Sequence, residues 1–197
     1  MAAAARRTPF VLASASPRRL ALLAQAGLRP DVVEAASVDE APQKAEEPRA
    51  YARRLARKKA EIVAARHAQA FVLAADTVVA AGRRILPKPA NEAEARACLD
   101  VLSGRRHRVH TAICLIEPGG RRRERLITTI VAFRRLEAGE IERYIRSGEW
   151  RDVAGGYALQ GRAAAFIPWL NGSASNVIGL PLVETLNLLK GAGLECE

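Results

Sequence analysis

From Phe71 to Ala81 the chain is apolar or β-branched at every position except Asp76. Such a run predicts a strand buried on both faces, and strands of that kind sit inside sheets that helices cover on either side. Its β-branched residues suit a buried strand. The run also leaves one carboxylate in an apolar strand, which is costly unless the group is paired, bound to a metal or used in chemistry. The bland alternative is a strand end at which Asp76 reaches solvent.

The rest of the pattern builds an α/β domain around that strand. Phe10–Ala13 reads as a strand and 17–26 as a helix, with a second strand at 31–36. A polar loop holding Asp39, Glu40 and Pro42 follows. Apolar residues at helical spacing predict a long amphipathic helix over 48–68. Gly82-Arg83-Arg84 predicts a turn into a short return strand at 85–86. Asn91 and Glu94 have capping-box spacing ahead of a helix at 95–102, which Ser103-Gly104 closes. Strands at 107–117 and 126–134 are expected to form a hairpin through Pro118-Gly119-Gly120, with the Arg121-Arg122-Arg123 cluster at its tip. Helices are expected at 137–146 and 181–189, and an apolar strand around 164–167. Alternating strands and helices with hairpins mean a mixed central sheet. No repeat or linker interrupts it, so a flexible leader at 1–8 and a single domain over 9–193 are expected.

The junction Leu12-Ala13-Ser14-Ala15-Ser16-Pro17-Arg18-Arg19 carries the clearest ligand signal. Ser16 is a suitable N-cap, and Pro17 fits the first helical position. A strand thus delivers a helix N-terminus bearing hydroxyls (Ser14, Ser16) and guanidiniums (Arg18, Arg19), where free amides and the helix dipole favour an anion such as phosphate. An ordinary junction with solvated arginines is the alternative. Glu40, next to Asp39 in a loop, reads as a solvated acidic pair or, paired through a metal with Asp76, as a hard-oxygen site for magnesium or manganese. Lys59, in isolation, reads as part of a solvated helix face. Lys88 is held between Pro87 and Pro89, which restrict the backbone and pre-position its ammonium. His107 follows a turn rich in cations and is either a phosphate or carboxylate partner or a structural histidine. Gln160, in a glycine-rich segment, offers both a donor and an acceptor suited to a base edge.

Formal net charge is +10, with 31 basic and 21 acidic residues. That balance points to a polyanionic partner. Aromatics make up only 5%, and no stacking cluster or reader motif for nucleic acid is present. The three cysteines (Cys98, Cys114, Cys196) are widely spaced and form no metal-ligand pattern, so free thiols in a reducing compartment are expected. No apolar stretch is long enough for a membrane span. Lysine stands only at positions 44, 58, 59, 88 and 190. In so arginine-rich a chain, a lysine inside a motif marks a place that wants a compact ammonium.

Taken together, the segments Leu12–Arg19, Ala75-Asp-Thr-Val-Val79, Lys88-Pro89, Ser103–Val109, Tyr157-Ala-Leu-Gln-Gly161 and Gly179-Leu-Pro-Leu182 resemble the Maf family of nucleoside triphosphate pyrophosphatases. They run in family order over nearly the whole chain. The resemblance implies a mixed sheet in two lobes with a cleft, akin to the inosine triphosphate pyrophosphatases. It implies hydrolysis of a nucleoside triphosphate to the monophosphate and pyrophosphate, and a divalent cation (Mg2+ or Mn2+). It also implies a cytoplasmic location and often a homodimer, with neither a stable nucleic-acid partner nor a membrane. By matching position, Asp76 would be the general base, and Glu40 would assist the metal. Ser14, Ser16, Arg18, Arg19, Lys59 and Lys88 would hold the phosphates. Arg18, Thr77 and Gln160 would tune base choice, with Gln160 resembling the branch that acts on dTTP and UTP. Ser173-Ala174-Ser175 departs from the more usual Ser-Tyr-Ser. Two rival readings are a nucleotide-sensing regulator of cell division with little turnover and a basic nucleic-acid-binding module.

Overall fold

The computed structural model describes residues 8–194. The leader expected at 1–8 therefore lies outside the described residues except for Thr8, and Cys196 lies outside them too. A seven-stranded mixed sheet runs through the domain in the order β2-β1-β3-β5-β6-β7, with β4 paired to β3. Its strands are β1 (Phe10–Ala13), β2 (Val32–Val33), β3 (Phe71–Ala81), β4 (Arg84–Leu86), β5 (Arg106–Ile116), β6 (Arg122–Ala132) and β7 (Trp169–Asn171). Strands β2, β1 and β3 are parallel, and the remaining pairings are antiparallel. The helices are α1 (Pro17–Gln25), α2 (Pro48–Ala64), α3 (Glu92–Leu102), α4 (Ala138–Ser147), α5 (Ala174–Ile178) and α6 (Leu182–Gly191), with short 3-10 helices at Ala154–Gly156 and Arg162–Phe166.

The period of two along β3 sorts the core into layers. Phe71, Leu73 and Ala75 pack with Leu22 and Leu23 of α1 and Leu188 and Leu189 of α6. Val72, Ala74 and Val78 pack on the other face with Ala52, Ala56, Ala60 and Val63 of α2. Alanines on that helix stripe let α2 approach the sheet closely. A third cluster, built on Val79, Val109, Val131 and Phe133 with α3 and α4, fills the other end of the sheet. The cleft opens between these packed ends.

Local chemistry explains the element ends. Pro17 stands at the first position of α1, as expected, but the Ser16 side chain makes no capping bond. Its amide instead donates to Ser14 Oγ at 3.1 Å, so the hydroxyl at 14 organises the turn. Asn91 caps α3 by accepting from the Glu94 amide. Gly148, at φ 73°, ends α4 in the left-handed conformation.

Three expectations are corrected, and one element is new. Strand β2 covers only Val32–Val33, because its partner β1 leaves the sheet at Ser14. Residues Arg122 and Arg123 belong to β6 and not to a hairpin tip, because Gly119 and Gly120 turn the chain within 117–121 and pairing resumes at Ile116 opposite Arg122. The apolar run at 164–167 is largely a 3-10 helix, not a strand; Ala163 and Phe166 are its buried residues, and the strand comes later as β7. Helix α5 at Ala174–Ile178 was not expected, and Ser173 caps it through the Asn176 amide.

Candidate active site

The parallel strands β1 and β2 end side by side, and the chain leaves β1 to start α1. Crevices of α/β sheets open at such carboxyl ends. Here a cavity of about 490 Å³ is lined by the Ala13–Arg19 junction, Ala35 and Ala36 after β2, Glu40, Lys59, Asp76, Thr77, Lys88 and the opposite wall Arg151–Ala154 with Tyr157.

Asp76 is only 6% exposed. It lies on β3 just past the last residue paired with β1, opposite Ala112 of β5. By period it shares the face of Val72 and Ala74, which α2 covers. At that height α2 presents Lys59, on the same stripe as Ala52, Ala56, Ala60 and Val63. Lys59 is buried, not solvated as read in isolation. Its Nζ lies 2.6 Å from Asp76 Oδ1 and 2.6 Å from Glu40 Oε1. One ammonium thus bridges two carboxylates. Tyr51 of α2 donates its hydroxyl to the Glu40 carbonyl at 2.5 Å, which fixes that loop. Lys88 approaches the other Glu40 oxygen at 3.6 Å.

A second polar cluster sits on the opposite sheet face. Arg19 donates from Nε to the Gly179 carbonyl at 2.9 Å, from Nη1 to Ser14 Oγ at 3.1 Å, and from Nη2 to Thr77 Oγ1 at 3.2 Å. Gly179 holds φ 134°, a conformation that side chains rarely adopt, and this presents its carbonyl to Arg19. Thr77 Oγ1 also meets Thr111 Oγ1 at 3.0 Å across β5. Arg19 is thereby aimed with little freedom. Both clusters meet where β1 ends.

Burial and charge set the protonation of the site. Burial pushes the Asp76 carboxyl up from its ordinary value, against the pull of Lys59 and Arg19. Burial would raise Glu40 as well, but Lys59 and Lys88 hold it below the usual carboxylate range. Burial lowers the Arg19 guanidinium, and Asp76 opposes that shift. The two carboxylates therefore differ: Glu40 is the firmer anion, and Asp76 is the more ready proton acceptor.

Of the residues singled out from sequence, Ser14, Ser16, Arg18, Arg19, Glu40, Lys59, Asp76, Thr77 and Lys88 all line the cavity. The structure does not bring Gln160 there: it is exposed in the turn after Tyr157. His107 is a core residue, 2% exposed, with Nε2 at 2.8 Å from the Tyr157 hydroxyl. Sequence reading singled out the glycine-rich run at 155–161 but missed the Arg151–Ala154 part of the opposite wall. Arg18 Nη2 donates to the Asp152 carbonyl at 2.6 Å across the cleft, and Asp152 holds φ 59°. Gly155 lets this wall close on β3, because a Cβ would fall 2.9 Å from Val79 Cγ1. The available signal was the Gly155-Gly156-Tyr157 run itself.

Glu40 and Asp76 fit a hard divalent cation. Magnesium uses one or two carboxylates and completes its shell with substrate phosphates and water. Among the described residues no group of three or more His, Cys, Asp or Glu side chains is placed to hold a metal. Glu40 and Asp76 are a two-carboxylate set, and a cation held there would draw its remaining oxygens from phosphate and water.

Residues 9–192 match the family described as Maf-like protein. A dTTP/UTP pyrophosphatase of Rhodospirillum rubrum is 60% identical over 185 residues, covering 94% of this chain and 88% of that protein. Proteins of the same name from Paramagnetospirillum magneticum and Caulobacter vibrioides are 59% and 58% identical, each over 93% of this chain and over 97% and 95% of their own. A solved nucleoside-triphosphatase, dITP/XTP pyrophosphatase, of Mycobacterium abscessus is 19% identical at a TM-score of 0.38, over 65% of this chain and 75% of its own.

Proposed function

This chain belongs to the Maf-like proteins, and from that premise we propose that it is a nucleoside triphosphate pyrophosphatase. It hydrolyses a nucleoside triphosphate to the monophosphate and pyrophosphate, with dTTP and UTP favoured, as the names of its relatives indicate. The observation that carries this reading is Asp76, a buried carboxylate at the cleft wall beside Arg19 and Lys59.

Cleavage between the α- and β-phosphates builds negative charge on the departing pyrophosphate. Fixed donors placed where that charge develops lower the barrier more than they tighten ground-state binding. Arg19, held on Gly179 and Thr77, supplies one such donor, and Lys59, Lys88 and the Ser14 hydroxyl supply others. The N-terminus of α1, with Arg18, faces the same anion. Asp76 takes the proton of the attacking water, and its raised proton affinity suits that work. Glu40 and Asp76 would hold a divalent cation, which supplies Lewis-acid neutralisation of the phosphate oxygens when bound.

The surface supports a small anionic substrate over a nucleic acid. Much of the arginine charge is paired: Arg54 with Glu46, Arg57 with Glu124, Arg122 with Glu61 and Arg134 with Glu140. The cavity lining holds Arg18, Arg19, Lys59, Lys88 and Arg151 against Glu40, Asp76 and Asp152, an excess of positive charge that suits a triphosphate. Cys98 and Cys114 are buried free thiols, which suits the proposed cytoplasmic location. Among the described residues no helix is long and apolar enough to cross a membrane. A homodimer, implied by the family likeness, belongs to the same proposal and is tested by sedimentation.

The deciding experiment is pyrophosphate release from a panel of dTTP, UTP, CTP, purine triphosphates and 7-methyl-GTP, with magnesium or manganese. Turnover of dTTP and UTP is expected. Turnover of another base keeps the chemistry and overturns the base preference. No turnover of any nucleotide, with tight binding retained, brings forward the nucleotide-sensing reading.

A further inference from the structure

The bridging ammonium of Lys59 raises a question that a phosphate-binding role alone leaves open. A lysine meant only for phosphate needs no carboxylate partner. Lys59 has two, Asp76 Oδ1 and Glu40 Oε1, each at 2.6 Å. These are the same two carboxylates whose oxygens suit a divalent cation. An ammonium donating to both stands in the space between them, where such a cation would bind. The position is built: Lys59 is 8% exposed, its helix is packed on the sheet through Ala56, Ala60 and Val63, and Tyr51 pins the Glu40 loop from the same helix.

We propose that Lys59 is an internal stand-in for the metal, holding the Glu40–Asp76 pair closed to free divalent cations until a nucleotide arrives. The inference rests on the reading of the site as a metal-assisted pyrophosphatase. Burying the Asp76 carboxylate beside the half-exposed Glu40 carboxylate is costly without a cation between them. In the nucleotide-free protein Lys59 provides that cation. When a triphosphate enters, its phosphates offer the ammonium a new anionic partner and offer the metal the oxygens that the protein lacks. Lys59 then transfers from carboxylate to phosphate as the metal takes the vacated pair. The same lysine serves as a cationic partner in both states. Metal and nucleotide binding are consequently coupled, and the coupling is reciprocal.

The test reads metal binding without turnover. Mn2+ affinity is measured by electron paramagnetic resonance on wild type, on Lys59→Met and on Lys59→Met with Asp76→Asn. Wild type is measured again with a nucleotide whose α–β bridging oxygen is replaced by methylene. Wild type alone is expected to bind Mn2+ weakly, the analogue to tighten it at least tenfold, and Lys59→Met to bind at least tenfold tighter than wild type with no nucleotide. The double variant should lose that gain. Circular dichroism checks that each variant folds, and if Lys59→Met does not, Lys59→Gln takes its place in the same comparison. Equal affinity of Lys59→Met and wild type, or tight Mn2+ binding by wild type alone, overturns the stand-in while leaving a metal-dependent enzyme. Absence of Mn2+ binding in every sample beyond that of the free analogue overturns both this inference and the metal reading beneath it.

Discussion

Asp76 on β3 and His107 on the neighbouring β5 are both polar side chains taken almost wholly out of water, yet the sheet treats them in opposite ways. Asp76 is surrounded by charge: Lys59 touches it, and Arg19 and Glu40 act on it. His107 is surrounded by rings: Phe133 lies edge-on at 5.2 Å between centroids and Tyr157 at 5.4 Å, and its Nδ1 has no hydrogen-bond partner. Burial drives each toward its neutral form, raising Asp76 and lowering His107 to about 4. Burial alone therefore does not mark a reactive group. What separates the two is a cavity on one side and the kind of neighbour on the other.

The comparison is broken or sharpened first at Asp76. Asp76→Asn is expected to lower turnover by about 10²–10⁴-fold, the range for loss of a general base. Its melting temperature should not fall. The folded pKa of Asp76 lies above the ordinary aspartate value, so ionising this group opposes folding once pH exceeds that value, and a neutral isostere removes the opposition. Turnover assays and thermal melts on one preparation check both halves. A variant that melts early and keeps its activity per folded molecule would move Asp76 into the same structural class as His107.

Lys88 tests the cationic half of the site. Its side chain is 53% exposed and reaches Glu40 at 3.6 Å, so little of the fold depends on it. Lys88→Ala should cost roughly ten- to hundredfold in kcat with stability unchanged. A fall in melting temperature with kcat intact would refute a role at the leaving pyrophosphate.

The histidines give the opposite signature, a pH-dependent stability. His107 and His110 are both lowered to about 4, each chiefly by burial. Below about pH 6.5 the unfolded chain takes up protons that the folded chain refuses until about pH 4. Their contribution is thus whole above the unfolded value and is lost as pH falls. Between pH 7 and 5 the loss is about 2 kcal/mol for each histidine. Urea denaturation of His107→Phe at the two pH values should show roughly half the wild-type loss. An unchanged pH slope would mean that His107 is not held neutral by its surroundings.

How much of this was legible in the sequence depends on whether a feature is local. Strand β3 was readable to both ends, because a doubly buried strand writes its burial into every residue. The Ser14–Arg19 junction was readable because Pro17 and Ser14 act on their own turn, although the cap expected of the Ser16 side chain is not made. The 3-10 helix at Arg162–Phe166 was not, since its alanines are equally at home in a strand and the core around Phe133 and Tyr144 decides. Lys59 was half-legible: alone it is one of many cations, but it falls on the stripe of Ala52, Ala56 and Val63, where a charge is as anomalous as Asp76 is on β3. Two such anomalies, one on a helix and one on a strand, are the sequence trace of a buried ion pair. The Arg18 bond to the Asp152 carbonyl joins residues too far apart in sequence, and through too irregular a segment, for any pattern to reveal it.

The smallest effect separates the two walls of the cleft. Thr77 sits inside the wall, bonded to Arg19 and Thr111, whereas Gln160 is exposed and outside it. Gln160→Ala is therefore expected to change the ratio of kcat/KM for UTP over CTP by no more than about threefold, the low end for a polar contact that water already satisfies. Thr77→Val, which removes the hydroxyl that Arg19 and Thr111 share, should change that ratio more, because a buried partner is left unpaired. The opposite order would show that the turn carrying Gln160 folds inward onto the base when nucleotide binds, making the glycine-rich wall the mobile one and the Arg19 wall the fixed frame against which it closes.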